Sequence, residues 1–86
     1  MEYDKATKNR LKRIEGQVRG VLNMLEAGAD CREIVTQLTA IRTAVDRTVG
    51  AVIGENLEHC IQDELDKGRA PDQVIKEAVG LLVKSR

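Results

Sequence analysis

Residues 30–68 read DCREIVTQLTAIRTAVDRTVGAVIGENLEHCIQDELDKG, and the length of this stretch decides the fold. Ile34, Leu38, Ile41, Val45, Thr48 and Val52 step by three and four, and Val35, Val49, Ile53, Leu57, Ile61 and Leu65 form a neighbouring stripe. That period is helical. Asp30 suits an N-cap, with Glu33 three residues on as in a capping box. Gly68 suits a C-terminal stop, and no proline intervenes before Pro71. The reading is one helix over about 31–67, roughly 55 Å long at 1.5 Å per residue. A domain of this size has a radius of gyration of only about 12 Å. The helix therefore overhangs its own subunit, and an antiparallel partner from a second chain would cover its two apolar stripes. Gly50 and Gly54 each cost about 1 kcal/mol relative to Ala inside a helix. Lying on one face, they permit either close packing of another helix or a kink.

On the N-terminal side, Leu11, Ile14, Val18, Val21, Leu22 and Leu25 mark a first helix over about 4–28, with Gly28 as its stop. On the C-terminal side, Val74, Ile75, Ala78, Val79, Leu82 and Val83 mark a third over about 71–85. Pro71 sits in its first turn, where the missing N–H costs little. The fold class is all-α, a three-helix subunit with a long central helix, read as one domain over 1–86. The chain has 86 residues, no Phe, no Trp and a single Tyr. A chain this short buries only about 60–65% of its unfolded surface, and aliphatic side chains must replace the area that aromatic rings normally supply. Oligomerisation is the expected remedy.

The formal net charge is zero, but it is unevenly spread. Residues 1–20 carry Lys5, Lys8, Arg10, Lys12, Arg13 and Arg19 against Glu2, Asp4 and Glu15, and the rest of the chain is acidic in balance. A basic first helix is either a footprint for phosphate or a solvated helix face. No run approaches the ~18 apolar residues of a membrane span, and no apolar segment of a secretory signal follows the N-terminus. The expected location is the cytoplasm, where thiols stay reduced.

Cys31 begins the long helix and Cys60 lies near its end. Their separation is about 43 Å along a continuous helix, whereas a disulfide needs Cα atoms within about 7 Å. The two cannot bond within one chain, but they can meet across an antiparallel pair centred near Val45–Asp46. Cys31 lies beside the positive end of the helix dipole and next to Arg32, which favours a nucleophilic thiolate. Glu58, Asp63 and Glu64 around Cys60 oppose negative charge there. Cys31 is thus the expected nucleophile and Cys60 of the other subunit the resolving thiol. The bland alternative is a pair of small buried hydrophobes. Two thiolates can also hold Cu(I), but His59, adjacent to Cys60, points about 100° away from it. The residue one turn before Cys60 is Asn56, whose amide is a poor ligand for a soft metal. A thiol enzyme is a third possibility, but the chain has no Cys-x-x-Cys motif and no placed base. It is read as a non-enzyme without a cofactor.

Several segments then match a known pattern. Asn9-Arg10-Leu11-Lys12-Arg13-Ile14-Glu15-Gly16-Gln17-Val18-Arg19-Gly20 resembles the first helix of the copper-sensing repressor (CsoR) family. Asp30-Cys31, Val35-Thr36-Gln37-Leu38, and Glu55-Asn56-Leu57 leading into Cys60 resemble its second. The resemblance covers nearly the whole chain. It implies an antiparallel dimer, a disc-shaped dimer of dimers, and repression relieved by an inducer. Copper sensors of the family hold Cys, His and Cys in trans, at the positions of Cys31, Asn56 and Cys60. The missing His points away from copper and away from the nickel, cobalt and formaldehyde sensors, which also use histidines. It points to the persulfide-sensing branch, the CsoR-like sulfurtransferase repressors (CstR), which keep the two cysteines. A Cu(I)-responsive repressor holding its metal through Cys31 and Cys60 is the alternative. The family contacts operator DNA through basic residues matching Arg10 and Arg47, to which Lys8, Lys12 and Arg13 add expected phosphate contacts. The implied partners are operator DNA, a small persulfide or polysulfide, and further copies of this chain.

Overall fold

The computed structural model describes residues 3–84. It consists of three helices, α1 (Lys5–Glu26), α2 (Cys31–Asp66) and α3 (Asp72–Lys84), with no strand among the described residues. The third helix was expected to reach residue 85, which lies outside the described residues. The chain divides into two compact units. One runs from Asp4 to Thr48 and holds α1 with the first half of α2; the other begins at Val49 and holds the second half of α2 with α3.

Local chemistry sets the helix ends. Asp4 caps α1, its side chain accepting a hydrogen bond from the Thr7 N–H at 2.8 Å. Asp30 caps α2 in the same way, accepting from the Arg32 N–H at 2.7 Å. Such a side-chain acceptor satisfies an N–H that has no partner within the helix. Both glycine stops adopt the left-handed backbone, with φ of +73° at Gly28 and at Gly68. At the first stop, Gly28 N–H donates to the Leu25 carbonyl and Ala29 N–H to that of Met24. At the second, Gly68 donates to Leu65 and Arg69 to Glu64. Each is a Schellman cap, which needs a residue tolerant of positive φ at that point. Pro71 lies just ahead of α3, not within its first turn as expected. Its carbonyl accepts from the Ile75 N–H, which is what a residue flanking a helix start does.

The first unit has a small core. Ile14, Val21 and Ile41 are buried together, and Ile34 and Ala44 pack against them. The rest of the expected α1 stripe stays outside it: Leu11, Val18, Leu22 and Leu25 are each about half exposed. On α2, Ile41 and Thr48 are buried, while Leu38 and Val45 are exposed. Each apolar stripe is broader than a single neighbouring helix can cover. In the second unit, Ala78 is the buried residue of α3, and Ile75, Val79, Leu82 and Val83 are exposed. Among the described residues of this chain, nothing packs against Gly50 or Gly54. The helix runs unbroken through both, and a Cβ at either would have no neighbour within 4 Å.

Glycines with equally open surroundings should respond to substitution with opposite signs. Gly28→Ala puts a side chain on a left-handed backbone, which costs about 1 kcal/mol and should lower the melting midpoint by roughly 4–8 °C in a chain of this size. Gly16→Ala, inside α1 with nothing within 4 Å of its Cβ position, should raise it, because Ala loses less conformational freedom in a helix than Gly does. Thermal unfolding followed by circular dichroism checks both.

Candidate functional site

The basic residues of α1 do not form one patch. Arg10, Arg13, Ile14 and Gln17 recur at helical spacing on the flank of α1 that faces α2. With Ala44, Arg47 and Thr48 of α2 they line a cleft of about 100 Å³. Ile14 anchors this wall in the core. All three guanidiniums lack a carboxylate partner among the described residues, where the ion pairs are Lys67–Asp63 and Arg69–Glu64. Lys8 and Lys12 are exposed and lie about 160° around α1 from Arg10, at 3.6 residues per turn. The five basic positions therefore divide into a convergent trio, Arg10, Arg13 and Arg47, and a separate pair, Lys8 and Lys12.

Two cleft residues were not read as site residues from the sequence, where Thr48 counted only as part of the apolar stripe of α2. Thr48 is buried, and its hydroxyl donates to the Ala44 carbonyl at 2.8 Å. Gln17 is half-buried, and its Oε1 is shut off from solvent without a hydrogen-bond partner among the described residues. One signal for Gln17 was available: it stands three residues after Ile14 and four before Val21, where the helix period calls for an apolar side chain.

The thiols lie at the two ends of α2 and belong to different compact units. Both are free. Cys31 is the first residue of the helix and is exposed; Cys60 is half-buried. Two of the three carboxylates expected to oppose charge at Cys60 have cations of their own. Lys67 Nζ donates to Asp63 Oδ2 at 2.9 Å, and Arg69 donates to Glu64 Oε1 at 2.9 Å. The hydrogen bond and positive charge of Lys67 hold the Asp63 carboxyl below its ordinary range. The acidic end of α2 is thus less repulsive than its sequence implies, although exposed pairs of this kind are weak. Asn56 and His59 are exposed. No group of three His, Cys, Asp or Glu side chains converges as a metal-ligand set among the described residues. No described helix is long and apolar enough to cross a membrane.

The described residues form an all-helical protein with three arginines lining one cleft and a free thiol at each end of its longest helix. The chain matches the metal-sensitive transcriptional repressor family over residues 3–84 and belongs to it. The family's members are transcriptional repressors, not enzymes. The chain is 56% identical over 63 residues to the uncharacterized protein YrkD of Bacillus subtilis, covering 73% of this chain and all of that one. It is 37% identical to the copper-sensing transcriptional repressor CsoR of the same organism over 83 residues, 96% of this chain and 80% of the relative. Among solved structures, it resembles the nickel-responsive transcriptional regulator InrS with a TM-score of 0.77 and 31% identity, covering 96% of this chain and 92% of that one. The copper-sensing operon regulator protein CsoRGz gives a TM-score of 0.65 at 41% identity, covering 69% of this chain and 98% of its own.

The first-turn, exposed Cys31 should be alkylated several-fold faster than Cys60 by iodoacetamide under reducing conditions. Time-resolved peptide mapping by mass spectrometry measures this; equal rates, or a faster Cys60, would reverse the roles assigned to the two thiols.

Proposed function

We propose that this protein is a cytoplasmic repressor that binds operator DNA as a homo-oligomer and releases it when a persulfide or polysulfide joins Cys31 of one subunit to Cys60 of another. The observation that carries the reading is the placement of two free thiols 29 positions apart on one unbroken helix. Eight turns of α-helix take about 29 residues, so both positions fall on the same stripe of α2. Leu38 and Val45 share that stripe and are exposed. A second α2 laid antiparallel along it would cover this apolar strip and bring Cys31 of each chain beside Cys60 of the other. Two such dimers would make the disc-shaped tetramer that the resemblance implies.

The chemistry balances without a metal or cofactor. The Cys31 thiolate attacks the outer sulfur of a persulfide, forming a protein persulfide and expelling the donor's thiolate. The partner's Cys60 thiolate then attacks the Cys31 sulfur and expels hydrosulfide, closing the disulfide. The two thiolates are oxidised and the donor's sulfur–sulfur bond is reduced. If Cys60 first takes up a sulfur of its own, the two persulfides condense to a trisulfide with loss of hydrogen sulfide. The longer bridge spans a separation that a plain disulfide does not. For the bridge to act as a switch it must cost less in the shape that cannot bind DNA, since equal cost in both shapes shifts nothing.

The copper-sensing relatives favour a second reading, in which Cys31 and Cys60 of two chains hold Cu(I). Asn56, standing where the copper sensors of the family have their His, argues against it because an amide is a weak ligand for so soft an ion.

DNA from the protein's own promoter region, with intact mass under non-reducing conditions, separates the two readings. Polysulfide should give a dimer-sized covalent species and release the DNA, while Cys31→Ser and Cys60→Ser should stay bound and uncross-linked. Release by Cu(I) with no covalent dimer would establish the metal reading. Release of either Ser variant by polysulfide would end the thiol mechanism.

A further inference from the structure

We propose that Gln17 is the positioning residue of the arginine cleft, and that the cleft so organised seats a single phosphate of duplex DNA. The inference rests on the DNA-binding reading above and adds to it a residue and a stoichiometry. Arg10, Arg13 and Arg47 converge on about 100 Å³ of space, and none has a carboxylate partner among the described residues. Like charges held together repel one another, and an anion between them removes that repulsion. The cleft has room for a tetrahedral oxyanion.

The acceptors behind the arginines explain how the fork is aimed. A buried amide oxygen without a donor is costly, and Gln17 Oε1 is such an atom. The donors available in its own cleft are guanidinium N–H groups. Thr48 contributes another acceptor from the opposite wall: its proton is committed to the Ala44 carbonyl, so its oxygen can only receive. An arginine that donates one N–H to Gln17 or Thr48 keeps its remaining donors for the phosphate, in a fixed orientation. The Gln17 amide NH₂ is left to donate to a phosphate oxygen. Lys8 and Lys12, on the far side of α1, act as diffuse charges outside this seat.

The test separates position from charge, using a short random-sequence duplex titrated by fluorescence anisotropy at several salt concentrations. Gln17→Met keeps the side-chain length and removes both hydrogen-bonding groups. It should weaken binding roughly tenfold, the scale of one charge-assisted hydrogen bond, and leave the salt slope unchanged. Arg47→Gln should weaken binding and also flatten the slope by about 0.9 for every cleft engaged. Gln17→Glu, which neutralises one guanidinium from within, should flatten the slope like an arginine loss. In side-chain NMR spectra, duplex or sulfate should shift the Gln17 amide and slow exchange of an arginine Nε–H in the wild type; Gln17→Met should lose that slowing while its melting midpoint holds. Gln17→Met binding like wild type, or losing affinity in step with its melting midpoint while the arginine signals stay put, would overturn the proposal. Sulfate shifting these signals with no effect of duplex would overturn the assignment of the anion to DNA. A wild type that binds no duplex at all would count against the repressor reading, and the sulfate arm would still decide whether the cleft takes an oxyanion.

Discussion

The shortage of apolar cover is the constraint on which the rest depends. Three helices share a chain without Phe or Trp, and within each compact unit two helical segments cover only part of each other's apolar stripes. Burial therefore falls on Ile14, Val21 and Ile41 in one unit and on Ala78 in the other, while Leu11, Leu22, Leu38, Val45 and Val79 remain exposed. At about 25 cal/mol per Å² of apolar surface, a chain with so few buried side chains gains little on its own against the entropy of ordering its backbone. The proposed homo-oligomer would cover the open stripes with further copies, which is a physical remedy for this shortage.

Electrostatics has a different geometry. The chain is neutral overall, yet three arginines line one cleft where α1 meets the first half of α2, together with Gln17 and the buried Thr48. At the other end of α2, Asp63 and Glu64 have matched cations in Lys67 and Arg69. The contrast is informative. Where charge serves the helix end, it is paired at i,i+4 or across the cap. Where it lines the cleft, it has no carboxylate partner among the described residues.

The thiols stand apart from that cleft in the sequence and in chemistry. One is exposed in the first turn of α2 and the other half-buried near its last turns. Under the proposed reading, a bond between sulfur atoms would have to alter the arginine cleft, and Arg47 and Thr48 lie on the same α2 that carries both cysteines.

Much of this was determined by the sequence, because helix formation depends on residues close in the chain. The period of Ile34, Leu38, Ile41 and Val45, the acceptor of Asp30 and the positive φ required at Gly28 and Gly68 are local facts, legible without coordinates. So were the two thiols, the Asn56 one turn before Cys60, and the basic bias of α1. Tertiary structure alone decided which apolar residues are buried. It also decided that Arg47 of α2 shares one cleft with Arg10 and Arg13 of α1, and that Gln17 and Thr48 line that cleft with them. Those outcomes depend on the rotation of α1 about its axis against α2. That rotation is set by how Ile14 and Val21 fit beside Ile41, a contact between side chains 20 or more positions apart that no local pattern encodes.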